Sequence, residues 1–164
     1  MQFEILKQPD ERLRRKGVAV DTFDHELEHL CRRLEITMRA GPGGVGIAAP
    51  QVGLNLRLVV VDCSESLRPC KNHGLLFLAN PKIESFEGKT LGREGCLSVP
   101  DWVGMVERAK HICISYDDLG GKRQKMKATG FEARVIQHEI DHLDGILFTD
   151  RVVSSKSLVR RMHA

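Results

Sequence analysis

The sequence lacks any apolar run close to the roughly 20 residues that a membrane-spanning helix needs, so we expect no membrane span. Residues 1–11 carry acidic side chains and no long apolar stretch, which argues against a signal peptide and favours a bacterial cytoplasm. A large excess of one charge is also missing. The net charge of +3 is too small to indicate specific binding of nucleic acid.

Cysteines at CxxC spacing are absent, which excludes a zinc ribbon. The total of 5 cysteines is odd, and without an export signal we expect a reducing compartment rather than a disulfide framework. The composition, 41% hydrophobic and 29% charged, is that of a globular protein, and 164 residues suffice for one ordinary domain. We therefore predict a single domain over residues 1–164.

An N-terminal helix is predicted where apolar residues recur every three or four positions between 23 and 38. Thr22 or Asp24 can cap its start. His25 and His29 lie four residues apart on this helix, but their acidic neighbours and their register indicate exposed side chains. We interpret it as an amphipathic packing helix without a metal site.

The middle of the chain is predicted to form strands. Residues 56–62 and 75–80 are apolar enough to be buried strands. Residues 111–127 alternate in polarity around a glycine-containing turn, which indicates a hairpin with an exposed second strand. Strands in the middle and helices at both ends favour an α+β fold with antiparallel pairing.

A second helix is predicted from about residue 129 to Gly145, with Thr129 and Glu132 as a capping box and Gly145 as its stop. At about 100° per residue, the positions of this helix fall on three arcs around its axis. Two of these arcs should be buried, and one of the two contains Phe131 and Val135. The third arc should face water: Arg134, Gln137, Asp141 and Asp144. A helix buried over two thirds of its surface lies near the middle of a domain.

Two histidines, His138 and His142, lie four apart on a buried arc of this helix, so their rings can converge on one ion. Glu139 falls beside them, where a carboxylate is costly unless it is paired or used. Together they form the HExxH pattern, in which the histidines bind a metal and the glutamate transfers a proton. The pattern predicts a metal site on this helix.

A hydrolytic metal needs a third protein ligand and an open position. Downstream of the pattern, Phe148 occupies the place of a usual histidine ligand, and Asp144, Asp150 and His163 are in no familiar position. The upstream candidate is Cys96, whose thiolate suits a borderline metal. A rival interpretation makes Cys96 a nucleophile with a histidine base, but it leaves Glu139 without a role.

Residues 41–53, GPGGVGIAAPQVG, are rich in glycine and alanine, so this backbone can approach another group closely. The stretch superficially suggests a phosphate-binding loop. It lacks the Lys-Ser/Thr ending, however, and no predicted strand precedes it. A nucleotide site is therefore not expected.

Three segments resemble the signature motifs of the peptide deformylase family: Gly44–Gln51 (GVGIAAPQ), Glu94–Ser98 (EGCLS) and His138–His142 (HEIDH). They occur in the order found in that family, at plausible separations, and none departs from its motif. The resemblance extends from the N-terminus to about Val152. It implies an α+β fold in which antiparallel β-sheets pack around a central metal-bearing α-helix, with an N-terminal helix and a short C-terminal helix.

The resemblance implies a metal-dependent hydrolase that removes the formyl group from the N-terminal formyl-methionine of new polypeptides and releases formate. Cys96, His138 and His142 would hold one divalent ion, and Glu139 would transfer protons. The family favours ferrous iron in the cell, with zinc or nickel in purified protein.

The same resemblance assigns the groups around the substrate. The side-chain amide of Gln51 and the backbone N–H of Leu97 would stabilise the oxyanion. The peptide would bind as an extended strand near Gly46, with its methionine side chain in a pocket partly lined by Val45, Val135 and His138. The substrate is thus an N-formylmethionyl peptide.

The C-terminal segment resembles the family less closely. Lys156, Arg160 and Arg161 give a short version of the basic helix with which relatives dock on the ribosome, so a transient ribosome contact is the other implied partner. Three alternative functions stay open at this point. They are an HExxH protease for internal peptide bonds, a binding module with a closed structural metal site, and a family member that has lost its activity.

Overall fold

The computed structural model describes residues 2–161. These contain two α-helices, α1 (His25–Ala40) and α2 (Gly130–Leu143). Eight strands are β1 (Gly46–Ala48), β2 (Leu58–Asp62), β3 (Leu75–Glu87), β4 (Thr90–Cys96), β5 (Val99–Arg108), β6 (His111–Asp117), β7 (Arg123–Thr129) and β8 (Val159–Arg160). Short 3-10 helices span Glu11–Arg14, Ala49–Val52, Phe148–Asp150 and Ser155–Ser157.

The larger sheet is antiparallel and has the order β1-β2-β3-β6-β7, so β1 lies at an edge. Its strand β2 is buried along its whole length, and alternate residues enter cores on opposite faces. Val59 and Val61 pack in one core with residues of α2, whereas Leu58 and Val60 pack in another with residues of α1. The two helices therefore cover the two faces of this sheet.

The smaller sheet has the order β4-β5-β8 and is also antiparallel. Cys96 is the last residue of β4, where the register with β5 shifts between Gly95 and Cys96. The core of this region contains Cys96, Val106 and Phe148. Side chains of α2 bond to β4 and β5, so α2 lies between the two sheets and faces both.

The α+β architecture predicted from the sequence is confirmed, with antiparallel sheets around a central helix. Helix α1 begins after Asp24, whose carboxylate accepts from the N–H of Leu27, and His25 and His29 are exposed as expected. After α2, the described residues contain no α-helix. The predicted short C-terminal helix is present only as 3-10 turns, which β8 follows.

The predicted capping box at the start of α2 is wrong. Thr129 is the N-cap residue, but its side chain makes no capping hydrogen bond and lies 2.7 Å from Nδ1 of His111 instead. Glu132 turns inward, where its carboxylate accepts from the N–H of His73 at 2.8 Å and lies 2.6 Å from Nδ1 of that ring. Tertiary partners for both side chains outcompete the local reciprocal bonds that the sequence indicates.

The expectation that one arc of α2 faces water is also wrong. Arg134, Gln137 and Asp141 are buried, since Arg134 and Asp141 form ion pairs and the amide of Gln137 bonds to the backbone of Ala109. Only Asp144 of that arc remains partly exposed, whereas Phe131, expected inside, is 38% exposed. The β4–β5 hairpin covers the polar side of the helix.

Gly145 ends α2 in the predicted place. Its φ of 73° lies in the left-handed region, and a Cβ atom there would lie 2.4 Å from the carbonyl oxygen of Arg14. No helix among residues 2–161 is long and apolar enough to cross a membrane. His163, considered as a downstream ligand, lies outside the described residues.

Candidate metal centre

Three predicted ligands from two separate elements meet in the structure. Ligand atoms of Cys96, His138 and His142 all lie within 4.8 Å of one another, and all three residues are buried. Sγ of Cys96 is 3.4 Å from Nε2 of His142, and the two imidazole centroids are 5.1 Å apart. No fourth histidine, cysteine or carboxylate joins this group within residues 2–161. The set therefore has the three protein donors of an open catalytic site.

Glu94 holds the His138 ring in place. Its Oε1 lies 2.8 Å from Nδ1 of His138, which leaves Nε2 to face the centre. The same carboxylate accepts bonds from Arg108 and Arg134 at 2.6 to 2.9 Å. Burial opposes its ionisation, but Arg108 and His138 outweigh burial and hold the pKa of Glu94 well below its ordinary value. A carboxylate behind a ligating histidine fixes its tautomer and raises its basicity.

The Arg108 guanidinium extends this support to the polar side of α2. Its Nη1 lies 2.6 Å from Oδ2 of Asp141, a residue that the sequence assigned to the surface. Arg151 contacts the same carboxylate at 2.6 and 3.0 Å. The buried ion pairs of this network link β4, β5 and α2, whereas Arg151 is exposed, and breaking one partner of a buried pair costs about 3–5 kcal/mol.

The electrostatics of the three ligands suit a bound cation. Burial disfavours a thiolate at Cys96, but the charge of His142 and hydrogen bonds from both histidines hold the pKa of this thiol well below its ordinary value. The His138 imidazole is also buried, yet its bonds with Cys96 and Glu94 raise its pKa well above the ordinary value. The lowered pKa of the Cys96 thiol and the carboxylate of Glu94 both favour positive charge between them, which a divalent ion would supply.

Glu139 lines the same cavity as Cys96 and His138, and one of its carboxylate oxygens has no hydrogen-bond partner. Its side chain is buried, and burial raises the pKa of the carboxyl above its ordinary value. Among the buried side-chain nitrogen and oxygen atoms of residues 2–161, only Oε1 of Glu139 and Nδ1 of His142 have no hydrogen-bond partner. An unpartnered carboxylate oxygen beside the three predicted ligands is available to a substrate or to water.

Gln51 is brought to the same place by the 3-10 helix that follows β1. Its Oε1 accepts from the N–H of Ala48 at 3.0 Å, which orients the amide. Nε2 then points to Sγ of Cys96 at 3.4 Å and to Oγ of Ser98 at 3.1 Å. Leu97 follows Cys96 and lines the same cavity. Both predicted oxyanion donors therefore lie beside the ligands.

The three predicted substrate-binding residues line the same cavity as the predicted ligands Cys96 and His138. Val45, Gly46 and Val135 all line one cavity of about 310 Å³, together with Cys96, Glu139 and residues of the glycine-rich stretch. A Cβ atom at position 46 would lie 2.7 Å from Oε2 of Glu139 and 2.9 Å from Cγ1 of Val135. Glycine at this position is thus required for β1 to approach α2 closely.

Two important residues were not singled out from the sequence. Glu94 contacts the side of His138 that faces away from Cys96 and also lines the cavity, whereas Arg108 lies behind Glu94 and does not line it. Glu94 could have been found, since it lies two residues before Cys96 and alternate residues of a strand share a face. Arg108 carries no such signal, because its partners are supplied by another strand and by α2.

Comparison with known proteins agrees with this geometry. The family model described as polypeptide deformylase matches residues 2–158. A peptide deformylase of Thermomicrobium roseum is 42% identical over 155 residues, covering 94% of this chain and 88% of the relative. One from Dictyoglomus turgidum is 42% identical over 158 residues, covering 96% and 97%.

Solved structures give the same result. The crystal structure of peptide deformylase from Thermotoga maritima has a TM-score of 0.86 and 34% identity, and covers 94% of this chain and 99% of that one. The peptide deformylase from Synechococcus elongatus, solved in complex with actinonin, has a TM-score of 0.86 and 39% identity, and covers 94% and 81%.

Proposed function

The chain belongs to the polypeptide deformylase family, and from this premise we propose that Cys96, His138 and His142 hold the single divalent ion of its active site. The protein is a metal-dependent hydrolase that removes the formyl group from the N-terminal formyl-methionine of new polypeptides, with release of formate. The assignment of the ligands rests on one observation: the sulfur of Cys96 and the ring nitrogens of the two histidines all lie within 4.8 Å of one another. A divalent ion held there acts as a Lewis acid and lowers the pKa of water towards about 7.

In this proposal Glu139 transfers the protons. Its carboxylate takes a proton from the attacking water and later gives it to the departing nitrogen. Burial raises the pKa of this carboxyl, which makes its protonated form a usable acid at the second step. Because Oε1 has no partner in the structure, no competing bond must break before it accepts the proton.

Gln51 and Leu97 are proposed to stabilise the oxyanion that develops on the formyl oxygen. The bond from the Ala48 N–H to Oε1 fixes the Gln51 amide with its NH₂ group towards the ligands. The backbone N–H of Leu97 is the second donor. A preorganised donor of this kind contributes about 3–4 kcal/mol to stabilisation of the transition state.

The substrate peptide is proposed to bind as an added strand. β1 is an edge strand, and edge strands accept extended peptides through backbone hydrogen bonds. Gly46 lies on this edge, and Val45 and Val135 would contact the methionine side chain. In this arrangement the formyl group would lie between Glu139 and the three proposed ligands.

We further propose ferrous iron as the metal in the cell, with zinc or nickel in purified protein, since two imidazoles and one thiolate suit all three. Residues 1–164 are proposed to act as one catalytic domain in a bacterial cytoplasm, where the formylated polypeptides are made. A transient ribosome contact through the short basic tail stays a prediction.

One rival function is a protease for internal peptide bonds that also uses the HExxH pattern. Formate release distinguishes the two. We expect metal-loaded protein to release formate from formyl-Met-Ala-amide and to leave the unformylated peptide intact. Measurement of formate and of free amine by chromatography, with chelator-treated protein as the control, checks this. Cleavage of internal bonds without formate release would contradict the proposal.

A further inference from the structure

The C-terminal strand β8 carries a basic side chain to the mouth of the cavity. β8 pairs with β5, and the N–H of Arg161 donates to the carbonyl oxygen of Asp101 at 2.7 Å. This pairing holds Arg161 beside the β4–β5 hairpin. Its half-buried side chain lines the same cavity as Cys96 and Glu139. The tail is therefore part of the wall around the reaction site.

Gly95 is the residue that lets the Arg161 guanidinium reach this position. A Cβ atom at position 95 would lie 2.2 Å from Nη2 of Arg161 and 3.3 Å from its Cζ. Any other residue there would displace the guanidinium. Because Gly95 directly precedes Cys96, and neighbouring Cα atoms are about 3.8 Å apart, this charge lies close to the ligand side of the cavity.

The charged side chains that line the cavity are three arginines and two carboxylates: Arg93, Arg134, Arg161, Glu94 and Glu139. The Glu94 carboxylate is already shared by Arg108, Arg134 and His138, so it does not neutralise the tail. Arg93 is exposed on β4 and lines the same cavity. Arg93 and Gly95 are alternate residues of that strand and so share one face, which places a second guanidinium near the first.

We propose that Arg161, assisted by Arg93, binds a side-chain carboxylate on one of the two residues that follow the formyl-methionine and thereby favours acidic peptides. This inference rests on the proposed function, since it assumes that the peptide lies in this cavity. An extended peptide rises about 3.3 Å per residue, so residues after the methionine pass the mouth of the cavity when the formyl group is at the ligands. Arg161 is thus a specificity-determining residue.

The chain offers a matched control for this inference. Arg160 has the same charge and adjoins Arg161, but its guanidinium carbon lies 5.6 Å from the centroid of the Trp102 ring and it does not line the cavity. Replacing Arg160 removes one positive charge from the residue next to Arg161. It therefore separates a direct contact from the effect of net charge.

The experiment measures kcat and KM for formyl-Met-Glu-Glu-amide and formyl-Met-Gln-Gln-amide at low ionic strength. We expect wild-type protein to prefer the acidic peptide about three- to fivefold in kcat/KM, mainly through KM, as for an exposed ion pair. Arg161→Gln should reduce this preference at least about twofold, and Arg161→Lys should retain part of it. Arg160→Gln should retain all of it.

An equal preference in wild-type protein and Arg161→Gln would overturn the inference, as would an equal loss in Arg160→Gln. Since the C-terminal carboxylates are amidated, only the side chains of the peptide can carry the effect. A different result would contradict the proposed function: wild-type protein would then release formate from neither peptide.

Discussion

Glu139→Gln is expected to lower kcat by about 10²- to 10⁴-fold while the protein keeps its metal. The amide has nearly the shape of the carboxylate but cannot take a proton from water or return one to the departing amine. The three proposed ligands are unchanged, so metal content should match that of wild-type protein. Formate release and metal analysis on the same sample check both halves of this prediction.

The same variant separates a catalytic role from a structural one. The wild-type carboxylate is buried with one unpartnered oxygen, and a buried neutral amide costs less than a buried charge. We therefore expect the free energy of unfolding of Glu139→Gln to equal or exceed that of wild-type protein. Asp144→Asn, which removes a partly exposed carboxylate at the end of the same helix, should keep its turnover. Wild-type rates in Glu139→Gln would exclude it from proton transfer.

Cys96→Ser is expected to weaken metal affinity by at least about 100-fold, and activity at limiting metal should fall with it. Removing a residue that only supports a metal ligand lowers metal affinity about 10- to 100-fold. Removing the ligand itself should lower it at least as much. A serine hydroxyl stays protonated near neutral pH and is a poor donor, whereas the neighbouring imidazoles hold the pKa of the Cys96 thiol well below its ordinary value. Competition with a chromogenic chelator measures the affinity.

Cys113→Ser is the matched control for this substitution. Cys113 is a half-buried free thiol on β6 and does not belong to the ligand group, so its loss should leave metal affinity unchanged.

Chelation of wild-type protein then tests the thiol-nucleophile alternative. A metal-dependent enzyme loses activity with its metal, whereas a cysteine hydrolase with a histidine base keeps it. Unchanged metal affinity in Cys96→Ser would remove the thiol from the ligand set.

The parts of the site that one element carries could be predicted from the sequence. His138, Glu139 and His142 lie on one helix, so their spacing alone determines that they share a side of it. The position of α1 and its cap at Asp24 follow from local periodicity and capping in the same way. Cys96 could be proposed as a ligand, but its distance from the histidines depends on how β4 packs against α2.

The supporting network could not be predicted, because its members look like surface residues. Arg134 and Asp141 fall on a polar arc, and only the covering β4–β5 hairpin turns that arc into a buried ion-pair network. The position of the Arg161 side chain could not be predicted either, because a basic residue in a tail is usually solvated. Its place at the cavity depends on the pairing of β8 with β5 and on the absence of a side chain at Gly95.

X-ray absorption at the metal edge of zinc-loaded wild-type protein tests the ligand set most directly. The account predicts one sulfur at about 2.3 Å and two imidazole nitrogens at about 2.0–2.1 Å. It also predicts at least one oxygen donor that a hydroxamate displaces, which marks a position open to substrate. A spectrum without sulfur, or with four protein donors that no added ligand displaces, would contradict it.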